Sequence, residues 1–93
     1  MRTIERTTKF KKDYKRELKG RHKVTLQSDF INVIKILVTD ETLAPKYFDH
    51  ALSNNWKDHR DCHIKPDLVL IYRLVDSDIL QLVRLGSHSE LGL

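Results

Sequence analysis

A single cysteine, Cys62, stands in the 93 residues. It leaves no partner for an intramolecular disulfide and too few thiolates for a structural zinc site, in keeping with a reducing compartment. Long hydrophobic runs are missing as well. None approaches the roughly 20 residues that a membrane-spanning helix needs, and Met1-Arg2-Thr3-Ile4-Glu5-Arg6 lacks the apolar segment of a secretory signal. These absences predict a cytoplasmic protein with no membrane partner. There is no internal repeat, linker or low-complexity segment. The length suffices for one hydrophobic core and not for two, so residues 1–93 are expected to form a single domain stabilised by packing.

Positive charge is what the sequence does have. The formal net charge is +4, and eight of the seventeen cations fall within residues 9–23: Lys9, Lys11, Lys12, Lys15, Arg16, Lys19, Arg21 and Lys23. Such a stripe suits an anionic partner, nucleic acid above all, and equally fits a solvated helix face.

Residues 2–7 are short and rich in β-branched side chains, as a first strand at a sheet edge would be. From Thr7 or Thr8 a helix can start, because a threonine hydroxyl caps free amides, and Phe10, Tyr14 and Leu18 then recur on one face. Gly20 stops it. A second helix is predicted from about Val24 to Thr39, with Leu26, Phe30, Val33, Ile34, Leu37 and Val38 at helical spacing. Pro45 opens a loop that runs on to His50. Trp56 to Lys65 then alternates like a strand, with Trp56, Asp58, Arg60, Cys62 and Ile64 on one face and Lys57, His59, Asp61, His63 and Lys65 on the other. After a turn at Pro66-Asp67, Leu68 to Val75 is apolar enough for a central strand buried on both faces. Asp76-Ser77-Asp78 turns the chain again, and Ile79 to Leu85 delivers Gly86-Ser87-His88 to the end of the sheet. The expected architecture is α+β: a short N-terminal strand and a two-helix hairpin packed on one face of a twisted, mostly antiparallel sheet.

Four of the five histidines lie between His50 and His88. His59-x-x-x-His63 has the spacing of a metal pair on a helix, but on a strand four residues span about 13 Å, so no metal site is expected. Cys62 shares its face with Trp56 and Ile64, which marks it as an inert packing residue. Acid and base chemistry fits the histidines better, since a neutral and a protonated imidazole coexist near neutral pH. His50, His63 and His88 come from three segments that the topology can bring to one end of the sheet, with Asp67 across the turn from His63. Random scatter of surface histidines is the competing reading.

Tyr47-Phe48-Asp49-His50, Trp56-Lys57, Arg60-Asp61-Cys62-His63, Pro66-Asp67 leading into Leu70-Ile71-Tyr72, and Arg84-Leu85-Gly86-Ser87-His88 stand in fixed order and spacing. In these blocks, covering nearly the whole chain, the sequence resembles the RelE-type toxins of bacterial toxin–antitoxin modules, and within them the YafQ branch. The resemblance implies a ribosome-dependent endoribonuclease that cuts messenger RNA during translation, needs no metal or small-molecule cofactor, and is neutralised by a cognate antitoxin. It places the catalytic positions on His50, His63, Asp67 and His88. Lys57 and Arg84 fall on basic positions suited either to phosphate or to a structural salt bridge, and the stretch Lys9, Lys11, Lys12, Lys15, Arg16 and Lys19 would dock on ribosomal RNA. His59 and His22 are expected to be solvated surface residues, and Arg60 and Asp61 an ion pair holding the strand. One departure stands out. Relatives often carry an aromatic residue shortly after the last histidine, whereas this chain ends Ser89-Glu90-Leu91-Gly92-Leu93. The ParE-type toxins share the fold and poison DNA gyrase without cutting RNA, so they are one rival reading; a non-catalytic binder of ribosomes or RNA is another.

Overall fold

A computed structural model describes residues 1–20 and 23–93. The expectation that His22 is a surface residue lies outside them. In chain order the elements are β1 (Thr3–Arg6), α1 (Thr8–Leu18), α2 (Leu26–Val38), β2 (His50–Ala51), β3 (Arg60–Lys65), β4 (Leu68–Val75), β5 (Ile79–Gly86) and α3 (His88–Leu91), with 3-10 turns at Pro45–Tyr47 and Asn54–Trp56. Among the described residues no helix is long and apolar enough to cross a membrane.

The start of α1 follows from Thr7, whose extended backbone lets its Oγ1 accept the amide N–H of Phe10 at 3.0 Å. Phe10 is buried, Tyr14 is half-buried, and both meet Phe30 of α2, with ring centroids 5.8 Å and 5.2 Å away. This aromatic contact closes the helix hairpin. On α2, Leu26, Val33, Ile34, Leu37 and Val38 are buried against Cys62, Ile64, Leu68, Leu70, Tyr72, Leu80, Leu82 and Leu85 of the sheet. Each such side chain contributes roughly 1.5–3 kcal/mol on burial. The α+β architecture is therefore as expected.

The sheet order is β1-β5-β4-β3-β2, with β1 parallel to β5 and the other pairs antiparallel. The expected edge strand is present at β1, and β4 is central. Burial on both faces holds only for Leu68 to Tyr72, because Leu74 near its far end is 39% exposed.

The strand expected from Trp56 begins only at Arg60. Trp56 ends a 3-10 turn, and Asp58 adopts a left-handed backbone with φ 69°, which breaks the extended run. The expected loop before His50 instead yields the two-residue strand β2 at the opposite edge. A second, smaller apolar cluster lies on the sheet face away from α1 and α2: Val69, Ile71 and Leu91 of α3, with Leu52, Trp56 and Val83 against them.

β1 pairs with β5 only as far as Leu82, so the edge beyond is open to another partner. The first turns of α1 fill it. Thr7 N–H donates to the Leu82 carbonyl and its hydroxyl to that of Val83; Asp13 accepts the Leu85 N–H at 3.0 Å; Arg16 donates to the Leu85 carbonyl at 2.9 Å. Side chains here do the work of a missing strand, and they fix the segment that leads into α3.

Candidate active site

His50 is positioned from behind. After the Pro45–Tyr47 turn, Phe48 takes a left-handed backbone with φ 49°, and Asp49 Oδ1 accepts hydrogen bonds from the Tyr72 hydroxyl and from Arg60 Nε. These contacts set the register in which His50 pairs with Asp61 across β2 and β3. Arg60 thus bonds to Asp49. The expected Arg60–Asp61 ion pair does not form, because neighbours on a strand point to opposite faces.

Asp61 is the residue that the sequence reading left out of the site. It is only 2% exposed, yet its Oδ1 accepts no hydrogen bond from any described residue. His50 Nδ1 lies 3.0 Å from that oxygen and 2.9 Å from the Phe48 carbonyl. A carbonyl can only accept, so the bond to Phe48 requires Nδ1–H, and in the neutral ring the lone pair then sits on Nε2. Asp61 then acts on His50 through charge. Burial pushes the Asp61 carboxyl pKa up, and the fields of His50, His63 and His88 draw it partly back down. His50 thus contacts the buried carboxylate, His88 lines one cavity with both, and His63 lies against His88. The signal was in the sequence: alternation had already set Asp61 beside His63 and opposite Arg60.

His63 is half-buried in β3, with its ring 4.9 Å from that of His88 and 5.4 Å from that of Phe48. Val69 explains the first contact, since it pairs with His63 on one side and with Gly86 on the other. His88 opens α3, and Ser87 caps it: Ser87 Oγ accepts the Glu90 N–H while Glu90 Oε1 accepts the Ser87 N–H at 2.8 Å. Gly86 has no side chain to spare here, as a Cβ would come within 3.0 Å of Arg16 Nη2. Asp67 is half-buried in the turn between β3 and β4, two residues before Val69, at the same end of the sheet.

The expected phosphate contacts divide into two sets. Lys57 is exposed at the end of the Asn54–Trp56 turn, and Lys9, Lys11, Lys12, Lys15 and Lys19 are exposed along and just beyond α1. Arg84 instead reaches Asp13, Nε to Oδ2 at 2.7 Å, and Arg16 is shared among Asp13, Glu17 and Glu90. Burial would push the Asp13 pKa up, but hydrogen bonds from Arg84 and the Leu85 amide, with the charges of Arg84 and Arg16, hold it below the ordinary value. His59 stands apart from the other histidines, its ring edge-on to Trp56. Cys62 is fully buried, and burial pushes its thiol pKa far up, so it is not a thiolate nucleophile. Among the described residues no group of three or more His, Cys, Asp or Glu side chains is arranged to hold a metal ion.

Residues 2–92 match the family model described as bacterial toxin of type II toxin–antitoxin system, YafQ. The Escherichia coli K12 protein named mRNA interferase toxin YafQ is 36% identical over 90 residues, 95% of this chain and 97% of its own. A metal-bound toxin from Helicobacter pylori superposes with a TM-score of 0.85 at 48% identity, covering 98% of this chain and 99% of that one. In the E. coli DinJ-YafQ complex the matching chain gives 0.79 at 32% identity, with 98% of both chains covered. The chain belongs to the YafQ family of type II toxin–antitoxin toxins.

Proposed function

We propose that this protein is an endoribonuclease toxin that cuts messenger RNA on the ribosome and is neutralised by a cognate antitoxin. The observation that carries the reading is the cluster in which His50 lies 3.0 Å from the buried Asp61 carboxylate, His88 lines the same cavity as both, and the His63 ring contacts that of His88. The names of its relatives support it: one is an mRNA interferase toxin, and another was crystallised with DinJ.

The chemistry is attack of a ribose 2′-hydroxyl on its own neighbouring phosphorus. Because the nucleophile is already held in the substrate, what remains for the protein is a base, an acid and stabilisation of developing charge. His50 Nε2 takes the 2′ proton, and the resulting imidazolium is stabilised by Asp61. His88, exposed at the start of α3, protonates the departing 5′ oxygen. His63 lies between Phe48 and His88 and stabilises the crowded phosphate together with Lys57. Asp67, at the same sheet end, is the alternative base. Arg84 contributes less directly, since Asp13 holds its guanidinium.

The exposed lysines of α1 dock on ribosomal RNA phosphates. Single alanine substitutions at His50, His63, Asp67 and His88, assayed by cleavage of ribosome-bound messenger, test the assignments. A general acid or base contributes roughly 10²- to 10⁴-fold, so undiminished cutting by His88→Ala would remove the acid role.

A further inference from the structure

Beside the histidines lies a cavity of about 510 Å³, within the roughly 300–1,000 Å³ of small-molecule sites. His50, Asp61 and His88 line it, and so do Asn54, Asn55 and Trp56. The reaction needs none of the latter three. They come from the turn Asn54–Trp56, where Asn54 holds a left-handed backbone with φ 57°.

We propose that this cavity is a nucleobase subsite. It would hold the base of a nucleotide flanking the scissile phosphate, with Trp56 as the stacking surface and the Asn54 and Asn55 amides as edge readers. The inference rests on the ribonuclease reading and extends it to substrate selection.

Four observations carry it. The cavity shares His50, Asp61 and His88 with the catalytic cluster, so a substrate whose phosphate lies there brings a neighbouring base to this space. None of its lining residues is Lys or Arg, which suits an uncharged ring and not a second phosphate. Trp56 is half-buried and backed by the Val69, Ile71 and Leu91 cluster, so its ring is fixed before any base arrives and little freedom is lost on stacking. The Asn54 and Asn55 side chains are exposed and, among the described residues, make no hydrogen bond; each amide offers both a donor and an acceptor, as a base edge requires. The chain's tail fits the same picture. Gly92 lines the cavity with no side chain, and a Cβ placed there would meet nothing within 4 Å.

The test uses ribosomes programmed with synthetic messengers. An abasic ribonucleotide, which keeps its 2′-hydroxyl, replaces in turn each nucleotide flanking the cut. Wild type, Trp56→Phe and Trp56→Ala are compared. On ordinary messenger, Trp56→Ala should lose about 10-fold in kcat/KM and Trp56→Phe much less. At one of the two abasic positions the gap between wild type and Trp56→Ala should vanish, because there is no base left to stack. A Trp56→Ala deficit of the same size on both abasic messengers would make Trp56 a packing residue and overturn the subsite, while wild-type cleavage left the nuclease reading standing. No cleavage by the wild type would remove that reading and the subsite with it.

Discussion

Replacing Asp13 with alanine should destabilise the fold far more than a charge on a helix surface would. Asp13 is 4% exposed and bonds to Leu85 N–H at 3.0 Å, to Arg84 at 2.7 and 3.3 Å, and to Arg16 at 3.1 Å. Removing it orphans a buried amide, at about 1–3 kcal/mol, and breaks charge-assisted bonds to Arg84, worth roughly 1.5–3 kcal/mol before discount. The discount is real, because the Arg84 side chain is 22% exposed and can recover some water. Arg16, at 43% exposed and still paired with Glu17, adds little. The expected loss is about 3–5 kcal/mol, in line with removing one partner of a buried ion pair. That is a large share of the roughly 5–15 kcal/mol that holds a domain together, and for this size it lowers Tm by roughly 12–40 °C. Urea unfolding followed by far-UV circular dichroism measures it. Asp13→Asn keeps one acceptor for the Leu85 amide and should lose less. The sign with pH also follows. The Asp13 pKa in the fold lies below its ordinary 3.8, so its contribution is complete above that value and is lost as pH falls through the lower one. The stability gap between wild type and Asp13→Asn should therefore close below about pH 4. A loss under about 1 kcal/mol for Asp13→Ala, or a gap unchanged down to acid, would refute the reasoning.

Asp61→Asn should separate stability from activity. Burial raises the pKa of this carboxyl, so its ionised form costs stability as pH rises, and the amide should leave Tm at neutral pH unchanged or higher. Cleavage should fall at least about 10-fold, because the His50 imidazolium loses its counter-charge; an intact rate with a lowered Tm would contradict this. Replacing Lys9, Lys11, Lys12 and Lys15 together with glutamine should weaken ribosome binding and flatten its salt dependence while leaving the unfolding midpoint almost unchanged, since all four are exposed. Ribosome affinity equal to wild type at low salt would show that these lysines do not dock.

What could be read from the sequence was local. Thr7 followed by Phe10 and Tyr14 carries the start and the buried face of α1, and the apolar run from Leu68 to Tyr72 carries the centre of the sheet. What escaped was short or distant. His50–Ala51 is too brief a strand to show alternation, and the left-handed turn at Asp58 cuts a pattern that otherwise continues through it to Trp56. The Asp13–Arg84 pair joins residues 71 positions apart, so nothing near Arg84 identifies its partner. The candidate site was nominated by its histidines, through the blocks that the chain shares with its family, and the fold brings His50, His63 and His88 into one neighbourhood. Asp61 was passed over because its neighbour Arg60 offered an ion pair, although strand alternation forbids that pairing and the register with His50 sets Asp61 in the site. Burial decides such cases, and burial depends on the second apolar layer around Val69, Ile71 and Leu91, which the sequence did not separate from the main core.

The account stands on internal attack by the 2′-hydroxyl at the His50, His63 and His88 cluster. Its most direct test is the chemistry of the cut ends on a ribosome-bound messenger, alongside the same messenger with a single 2′-deoxynucleotide at the cleavage site. The account predicts a 2′,3′-cyclic phosphate or its opened 3′-phosphate, a free 5′-hydroxyl on the downstream fragment, and no cut at the deoxy position. A 3′-hydroxyl with a 5′-phosphate, or cleavage of the deoxy-substituted messenger, would contradict it.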